Sequence, residues 1–146
     1  MCSGLLRNEK HKYFENFTLN KKEFSSMKIL QTLSRLYVTD LNSALEFYKE
    51  LLGEPATMHF EMPQIGLELA QVGNVLLIAG SEETLKPFRR TQATFLVDSL
   101  DEFRAYLEEK GAEILRGPAR VPTGRNMTVK HADGSVIEYV EHLKVI

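Results

Sequence analysis

Apolar and polar residues follow the same order twice along this chain. A strand-like run of β-branched and aromatic residues precedes an amphipathic helix, and three short strand-like runs follow it, separated by turn residues. The first copy predicts strands at 29–38, 56–62, 65–72 and 74–79, and the second at 92–97, 113–116, 125–131 and 135–141. The pattern therefore predicts two βαβββ modules, spanning 29–80 and 91–142.

The first predicted helix has clear start and stop signals. Apolar residues recur every three or four positions between Leu41 and Leu52, and Gly53 ends the pattern. Asp40 or Asn42 provides the N-terminal cap. One face of this helix should therefore be buried against the sheet.

The second helix begins with Ser99 and Glu102, which form an S-x-x-E capping box, and Gly111 ends it after Lys110. Between the two modules, the polar stretch 80–90 contains a proline and predicts a linker.

The two copies also align residue by residue. Positions 33–41 match 92–100 at an offset of 59, and 73–78 match 134–139 at an offset of 61. Two copies are too few for a solenoid, so they should build one domain together. The predicted fold class is α+β, in which two repeated βαβββ modules form a curved mixed sheet around a cleft.

Composition narrows the possible partners. The chain has 146 residues and a net charge of −2, which provides no electrostatic footprint for nucleic acid. Its longest apolar runs are too short to cross a membrane. The single cysteine, Cys2, excludes an internal disulfide and favours a cytoplasmic location. Residues 1–28 lack the features of a signal peptide and are expected to form a poorly ordered extension.

Two motifs carry a resemblance to a known family. LYVTDL at 36–41, followed by Phe47, Tyr48 and Gly53, and DGSVIE at 133–138 resemble the vicinal oxygen chelate superfamily. That superfamily includes glyoxalases, extradiol dioxygenases, fosfomycin-resistance enzymes and bleomycin-resistance binding proteins. The resemblance implies the paired βαβββ fold, a small-molecule ligand and a homodimer.

The resemblance also implies where a divalent cation would bind. Metal-dependent members use one position early in the first strand and one in the last strand of each copy. The first-strand position lies seven residues before Asp40. Here it is occupied by Leu33, and the repeat partner of Leu33 is Gln92. The last-strand pair is Leu77 and Glu138. Because leucine offers no donor atom, we expect no metal and no cofactor.

Strand alternation predicts which side chains share the cleft face, because residues i and i+2 point to the same side. The opposite face, including Leu76 and Ile78, would then lie beneath the helices. The expected ligand-binding residues are Leu33, Arg35, Tyr37, Val75, Leu77, Gln92, Thr94, Leu96 and Glu138.

Glu138 admits two interpretations. A carboxylate in an apolar cleft needs a partner, and Arg35 on the same face would form a structural ion pair. Alternatively, Glu138 is a general base and the candidate catalytic residue. Arg116, Arg120 and Arg125 surround a Gly-Pro loop, where they either clamp an anionic ligand or remain solvated.

These expectations favour a metal-independent small-molecule-binding protein of the glyoxalase and bleomycin-resistance type. The alternatives are a metal-dependent enzyme of the lactoylglutathione lyase or dioxygenase class, and a metal-free enzyme that uses Glu138 as a proton shuttle.

Overall fold

Eight strands form one mixed sheet in the order β2-β3-β4-β1-β5-β8-β7-β6 in this computed structural model, which describes residues 27–143. The sheet curls into a half-barrel with its two long helices on the outer face. The strands are β1 (Ile29–Val38), β2 (Ala56–Met62), β3 (Leu67–Val72), β4 (Val75–Ala79), β5 (Ala93–Val97), β6 (Glu113–Val121), β7 (Gly124–Lys130) and β8 (Val136–His142). The α+β class and the paired βαβββ modules are confirmed.

The two modules meet at the centre of the sheet. Strands β1 and β5 pair antiparallel, with Leu33 opposite Thr94. On either side, β1 pairs parallel with β4 and β5 pairs parallel with β8. Each half therefore repeats the same strand order outward from the seam, and residues of β1, β5 and β8 come together in the middle of the concave face.

The predicted capping residues begin both long helices. Asp40 precedes α1 (Leu41–Leu52) and accepts hydrogen bonds from the backbone N–H groups of Asn42 and Ser43. Gly53 ends α1 in the left-handed conformation, at φ 66°, which glycine adopts without steric cost.

Ser99 caps the third helix, α3 (Leu100–Glu109), through a hydrogen bond from the backbone N–H of Glu102. Between α1 and α3 the chain forms a short α2 (Glu82–Leu85), followed by a 3₁₀ turn at Lys86–Phe88.

The stretch predicted as a polar linker has a buried anchor. Leu85, at the end of α2, is completely buried and packs on the concave side of the first module with Leu33, Leu67, Leu76 and Ile78. The sequence prediction missed this contact because the residues around Leu85 are polar and only tertiary packing buries it. The segment therefore forms part of the cleft wall.

The prediction assigned the side chains of β4 to the wrong faces of the sheet, through a shift of one residue along the strand. Val75 and Leu77 pack beneath α1, together with Leu41 and Ala70, rather than in the cleft. Leu76 lies opposite Arg35 in the β1–β4 pairing, and Thr94 lies opposite Glu138 in the β5–β8 pairing. The spatial counterpart of Glu138 is therefore Leu76.

A shift of one residue turns a strand's whole set of side chains to the other face of the sheet. Strand β4, Val75–Ala79, consists only of apolar residues, so it has no polar alternation that could reveal the correct face. Ile78, which was expected beneath the helix, faces the cleft for the same reason.

Two residues assigned to the N-terminal extension belong to the folded body. The backbone N–H of Lys28 donates to a carboxylate oxygen of Asp98 at 2.8 Å, and Met27 packs against the core beneath α3. The remainder of the predicted extension, 1–26, lies outside the described residues. No helix within residues 27–143 has the length and apolar character needed to cross a membrane.

The orientation of β4 can be tested by mutation. Leu77 is fully buried beneath α1, so Leu77→Ala should lower the free energy of unfolding by about 2–5 kcal/mol. Leu30→Ala, at a position that is 65% exposed in β1, should change it by less than about 0.5 kcal/mol. Urea unfolding followed by circular dichroism measures both. A small effect at Leu77 would contradict the packing described above.

Candidate functional site

The concave face encloses a cavity of about 290 Å³ between the two modules. Its apolar wall consists of Met62, Ile65, Leu67, Leu69, Ile78, Pro87, Phe88, Leu115 and Val121. Its polar groups are Arg35, Arg90, Thr91, Arg116, Asn126, Thr128 and Glu138. A smaller recess of about 70 Å³ adjoins it, where Leu33, Leu76, Thr94 and Leu96 surround the other side of Glu138.

Arg35 and Glu138 form an ion pair across the seam between the modules. The Arg35 Nη1 atom lies 3.1 Å from Glu138 Oε1, and the two side chains are 5% and 20% exposed. This confirms the structural ion pair predicted from strand alternation. Charges shielded from water to this extent interact strongly, and each would be costly to leave unpaired.

Two neutral side chains complete the surroundings of the Glu138 carboxylate. Thr94 Oγ1 donates to Oε1 at 2.9 Å while it accepts from Arg35 Nη1 at 2.9 Å. Asn126 Nδ2 donates to Oε2 at 2.9 Å. Both carboxylate oxygens therefore accept hydrogen bonds from the protein, from three donors in total.

Tyr37 fixes the other side of the Arg35 guanidinium. Arg35 Nε donates to the Tyr37 hydroxyl oxygen at 2.8 Å. The single hydrogen of that hydroxyl is shared between the backbone carbonyl oxygens of Phe88 and Thr91, which both lie within hydrogen-bond distance. The network thus holds the segment after α2 against β1, which explains why Phe88 and Arg90 line the cleft.

The three arginines predicted around the loop do not act together. Arg116 lines the cleft, where its Nη1 donates to Asn126 Oδ1 at 3.2 Å. Arg125 is directed toward α3 and pairs with Asp101 at 3.0 Å, and this hydrogen bond lowers the pKa of the Asp101 carboxyl below its usual range. Arg120 lies opposite Arg125 in the β6–β7 pairing and shares its outward face.

The structure brings together most of the residues predicted to line the cleft: Leu33, Arg35, Tyr37, Thr94, Leu96 and Glu138. Val75 and Leu77 lie on the other face, as described above. Gln92 is exposed just before β5, and its side-chain oxygen accepts from the backbone N–H of Val136 at 3.1 Å. Gln92 therefore holds β8 in place and is not part of either cavity wall.

Sequence reasoning missed Asn126, although a signal was available. In the β7–β8 pairing Thr128 lies opposite Glu138 and Asn126 lies opposite Val140, so both face the cleft. Asn126 is a buried polar residue that alternates along the strand with Met127 and Val129, which belong to the apolar core on the other face. A buried amide needs hydrogen-bond partners, and this one has Glu138 and Arg116.

The residues at the family's metal positions do not fit a divalent cation. Leu33 and Leu76 provide no donor atoms, and the Gln92 oxygen is bonded to Val136. The oxygens of Glu138 already accept from Arg35, Thr94 and Asn126, and the Arg35 charge would repel a cation. Within residues 27–143, no group of three or more His, Cys, Asp and Glu side chains could hold a metal ion.

Comparison with known proteins agrees with this architecture. The Glyoxalase/Bleomycin resistance protein/Dioxygenase superfamily matches residues 28–139, and the chain belongs to that superfamily. A comparison with curated proteins found no match.

The solved structures that resemble this chain include a relative of high sequence identity and more distant ones. An uncharacterized protein from Methanosarcina mazei is 74% identical, with a TM-score of 0.78, and the match covers 82% of this chain and 97% of that one. Methylmalonyl-CoA epimerase from Mycobacterium tuberculosis is 21% identical, with a TM-score of 0.63, over 80% of this chain and 90% of that one.

Methylmalonyl-CoA epimerase from Streptomyces coelicolor is 19% identical, with a TM-score of 0.61, over 79% of this chain and 99% of that one. At these identities the epimerases show only that the fold is shared.

The ion pair at the seam leads to a stability prediction. In Glu138→Gln the buried Arg35 loses its charge partner, and the new amide must direct its NH₂ either toward Arg35 or toward the Asn126 donor. We expect the free energy of unfolding to fall by about 1–3 kcal/mol.

The matched control is Glu82→Gln. The Arg89–Glu82 pair has the same separation of 3.1 Å, but its side chains are 43% and 74% exposed. That change should cost less than about 0.5 kcal/mol. Equal effects of the two variants in urea unfolding would show that burial does not strengthen the seam pair.

Proposed function

We propose that this protein binds a small organic molecule in the concave cleft and that binding does not require a metal ion. The single observation that carries the proposal is the state of Glu138. Its carboxylate is held by three hydrogen bonds from Arg35, Thr94 and Asn126 and is used to organise the cleft floor. These bonds use three of the roughly four lone-pair sites that a carboxylate offers, so most of its acceptor capacity serves the protein and little is available to a substrate.

The rest of the cleft has the properties of a ligand pocket. Its walls are mainly apolar and a few polar groups converge from both modules, which is the usual composition of small-molecule sites. The cavity of about 290 Å³ suits a compact ligand rather than a large cofactor. The ordered network beneath it would keep this shape without the ligand.

The enzyme alternatives require features that this network opposes. A general base needs an accessible lone pair within reach of a substrate proton, and three of the roughly four lone-pair sites of Glu138 already accept hydrogen bonds from Arg35, Thr94 and Asn126. A metal-dependent reaction needs a donor set that Leu33 and Leu76 do not provide. The names of the epimerase structures describe those proteins and do not by themselves support an activity here.

The homodimer implied by the family resemblance is retained as part of the proposal. Phe47 and Leu51, one turn apart on α1, are 57% and 62% exposed and would suit a contact between copies. Sedimentation equilibrium of the purified chain tests this point, and a monomer at high concentration would refute it. The absence of a disulfide framework supports a reducing compartment such as the cytoplasm.

Metal analysis gives one test. Purified protein incubated with Ni²⁺, Zn²⁺, Mn²⁺ or Fe²⁺ and then desalted should retain well under one ion per chain by elemental analysis. Leu33→His combined with Leu76→Glu would add two donors beside Glu138 and is expected to gain affinity, with circular dichroism to confirm folding. Stoichiometric retention by the unaltered protein that is lost in Glu138→Ala would contradict the metal-independent function.

Binding and turnover assays separate a binding protein from an enzyme. We expect no turnover of hemithioacetals, catechols or fosfomycin, with or without added divalent metal. We expect compact aromatic or amphipathic compounds to raise the thermal midpoint, because a ligand that binds only the folded state stabilises it. Turnover of any of these substrates that is abolished in Glu138→Gln would instead establish Glu138 as a catalytic base.

A further inference from the structure

We infer that the cleft takes an organic anion, a carboxylate or phosphate with a compact apolar body, and that Arg116 and Arg90 recognise its charged end. This inference rests on the proposed binding function and adds the chemical class of the ligand. The starting observation is the charge of the 290 Å³ cavity, whose wall contains three arginines and one carboxylate.

Positive charges outnumber negative charges on the cavity wall. Arg35 is paired with Glu138, so these two side chains cancel. Arg90 and Arg116 have no carboxylate within ion-pair distance among the described residues, and Arg116 donates only to the neutral amide of Asn126. The cleft therefore has an excess of two positive charges, which would attract an anion.

This excess is unusual for the molecule as a whole. Outside the cleft, three of the four arginines in the described part of the chain form ion pairs with acidic neighbours: Arg89 with Glu82, Arg104 with Glu108 and Arg125 with Asp101. The exception is Arg120. Within residues 27–143, two of the three arginines without a carboxylate partner thus line the same cavity.

An irregularity in β6 directs Arg116 into the cleft and Arg120 away from it. In a regular strand, residues four apart share a face. Here the pairing with β7 shifts between Arg116 and Ala119, so that Arg116 lies opposite Thr128 and Ala119 opposite Asn126. Both partners face the cleft, whereas Arg120 lies opposite the outward Arg125. The chain thus presents one arginine to the ligand site and a comparable one to solvent.

Apolar residues beside these arginines suit the other end of the ligand. Ile65, which is 44% exposed, lies on the same wall as Phe88 and Leu115. A ligand with its acidic group at the arginines could bury an apolar body against this wall. Planar guanidinium groups bind carboxylate and phosphate through paired hydrogen bonds, so either head group satisfies the site.

The test uses three probes of equal size and different charge. ¹⁵N-labelled protein is titrated with 4-phenylbutyrate, 4-phenylbutan-1-ol and 4-phenylbutylamine, and shifts of cleft residues are followed by NMR. The acid should bind roughly tenfold or more tightly than the alcohol, and the amine most weakly. Phenyl phosphate, titrated separately, shows whether the phosphate head group is preferred over the carboxylate.

Two matched variants localise the charge recognition. Arg116→Gln should weaken 4-phenylbutyrate about tenfold, equivalent to about 1.4 kcal/mol, and leave the alcohol unchanged. Arg120→Gln removes the same charge from the outward face of the same strand and should change neither. Arg90→Gln should weaken the acid alone, and raised salt should do the same.

The outcomes distinguish this inference from the proposed function. If the acid and the alcohol bind equally, the anionic class is wrong. If Arg120→Gln weakens the acid as much as Arg116→Gln does, recognition by Arg116 in the cleft is wrong. Small-molecule binding stands in either case. If none of the probes shifts the cleft residues at millimolar concentration, the binding function fails together with the inference.

Discussion

The ion pair between Arg35 and Glu138 is the interaction on which the rest of the site depends. Its two partners come from different modules, and Thr94 on the strand between them bonds to both. Because Arg35 is almost entirely buried, its charge would be very costly without this carboxylate. The pair therefore favours one relative placement of the two halves, and the shape of the cleft follows from that placement.

The same pair fixes the positions of the polar side chains around it, because Tyr37 bonds to Arg35 and Asn126 bonds to Glu138. Tyr37 orients the guanidinium from one side and bonds to the segment after α2, so the wall containing Phe88 is linked to the seam. On the other side Asn126 connects Glu138 to Arg116. A buried network of this kind is stabilising only when each member is satisfied, and no buried side-chain nitrogen or oxygen within residues 27–143 lacks a partner.

Local signals made much of the fold predictable from the sequence, whereas tertiary contacts decided the rest. Asp40 and Ser99 cap helices through bonds to nearby backbone, so neighbouring residues suffice to place them. The Arg35–Glu138 pair was predictable because the alternation of side chains along each strand places both charged residues on the cleft face. The face of β4 was not, because five apolar residues in a row look alike from either side. The cleft-facing position of Arg116 was not predictable either, because it depends on the irregular pairing of β6 with β7, which the sequence of β6 does not reveal.

The chemistry of the cleft follows from the position of Arg35. Its guanidinium pairs with Glu138 in the part of the cleft where metal-dependent members of the superfamily hold an ion. In both arrangements a positive charge balances the carboxylate in the last strand. A metal ion leaves coordination sites open to a substrate and dissociates when its concentration falls. A guanidinium provides only hydrogen-bond donors and cannot dissociate. Balancing Glu138 with Arg35 therefore provides the positive charge without an ion but without a Lewis acid, and under the binding function proposed above the selectivity would come from the cleft walls together with Arg90 and Arg116.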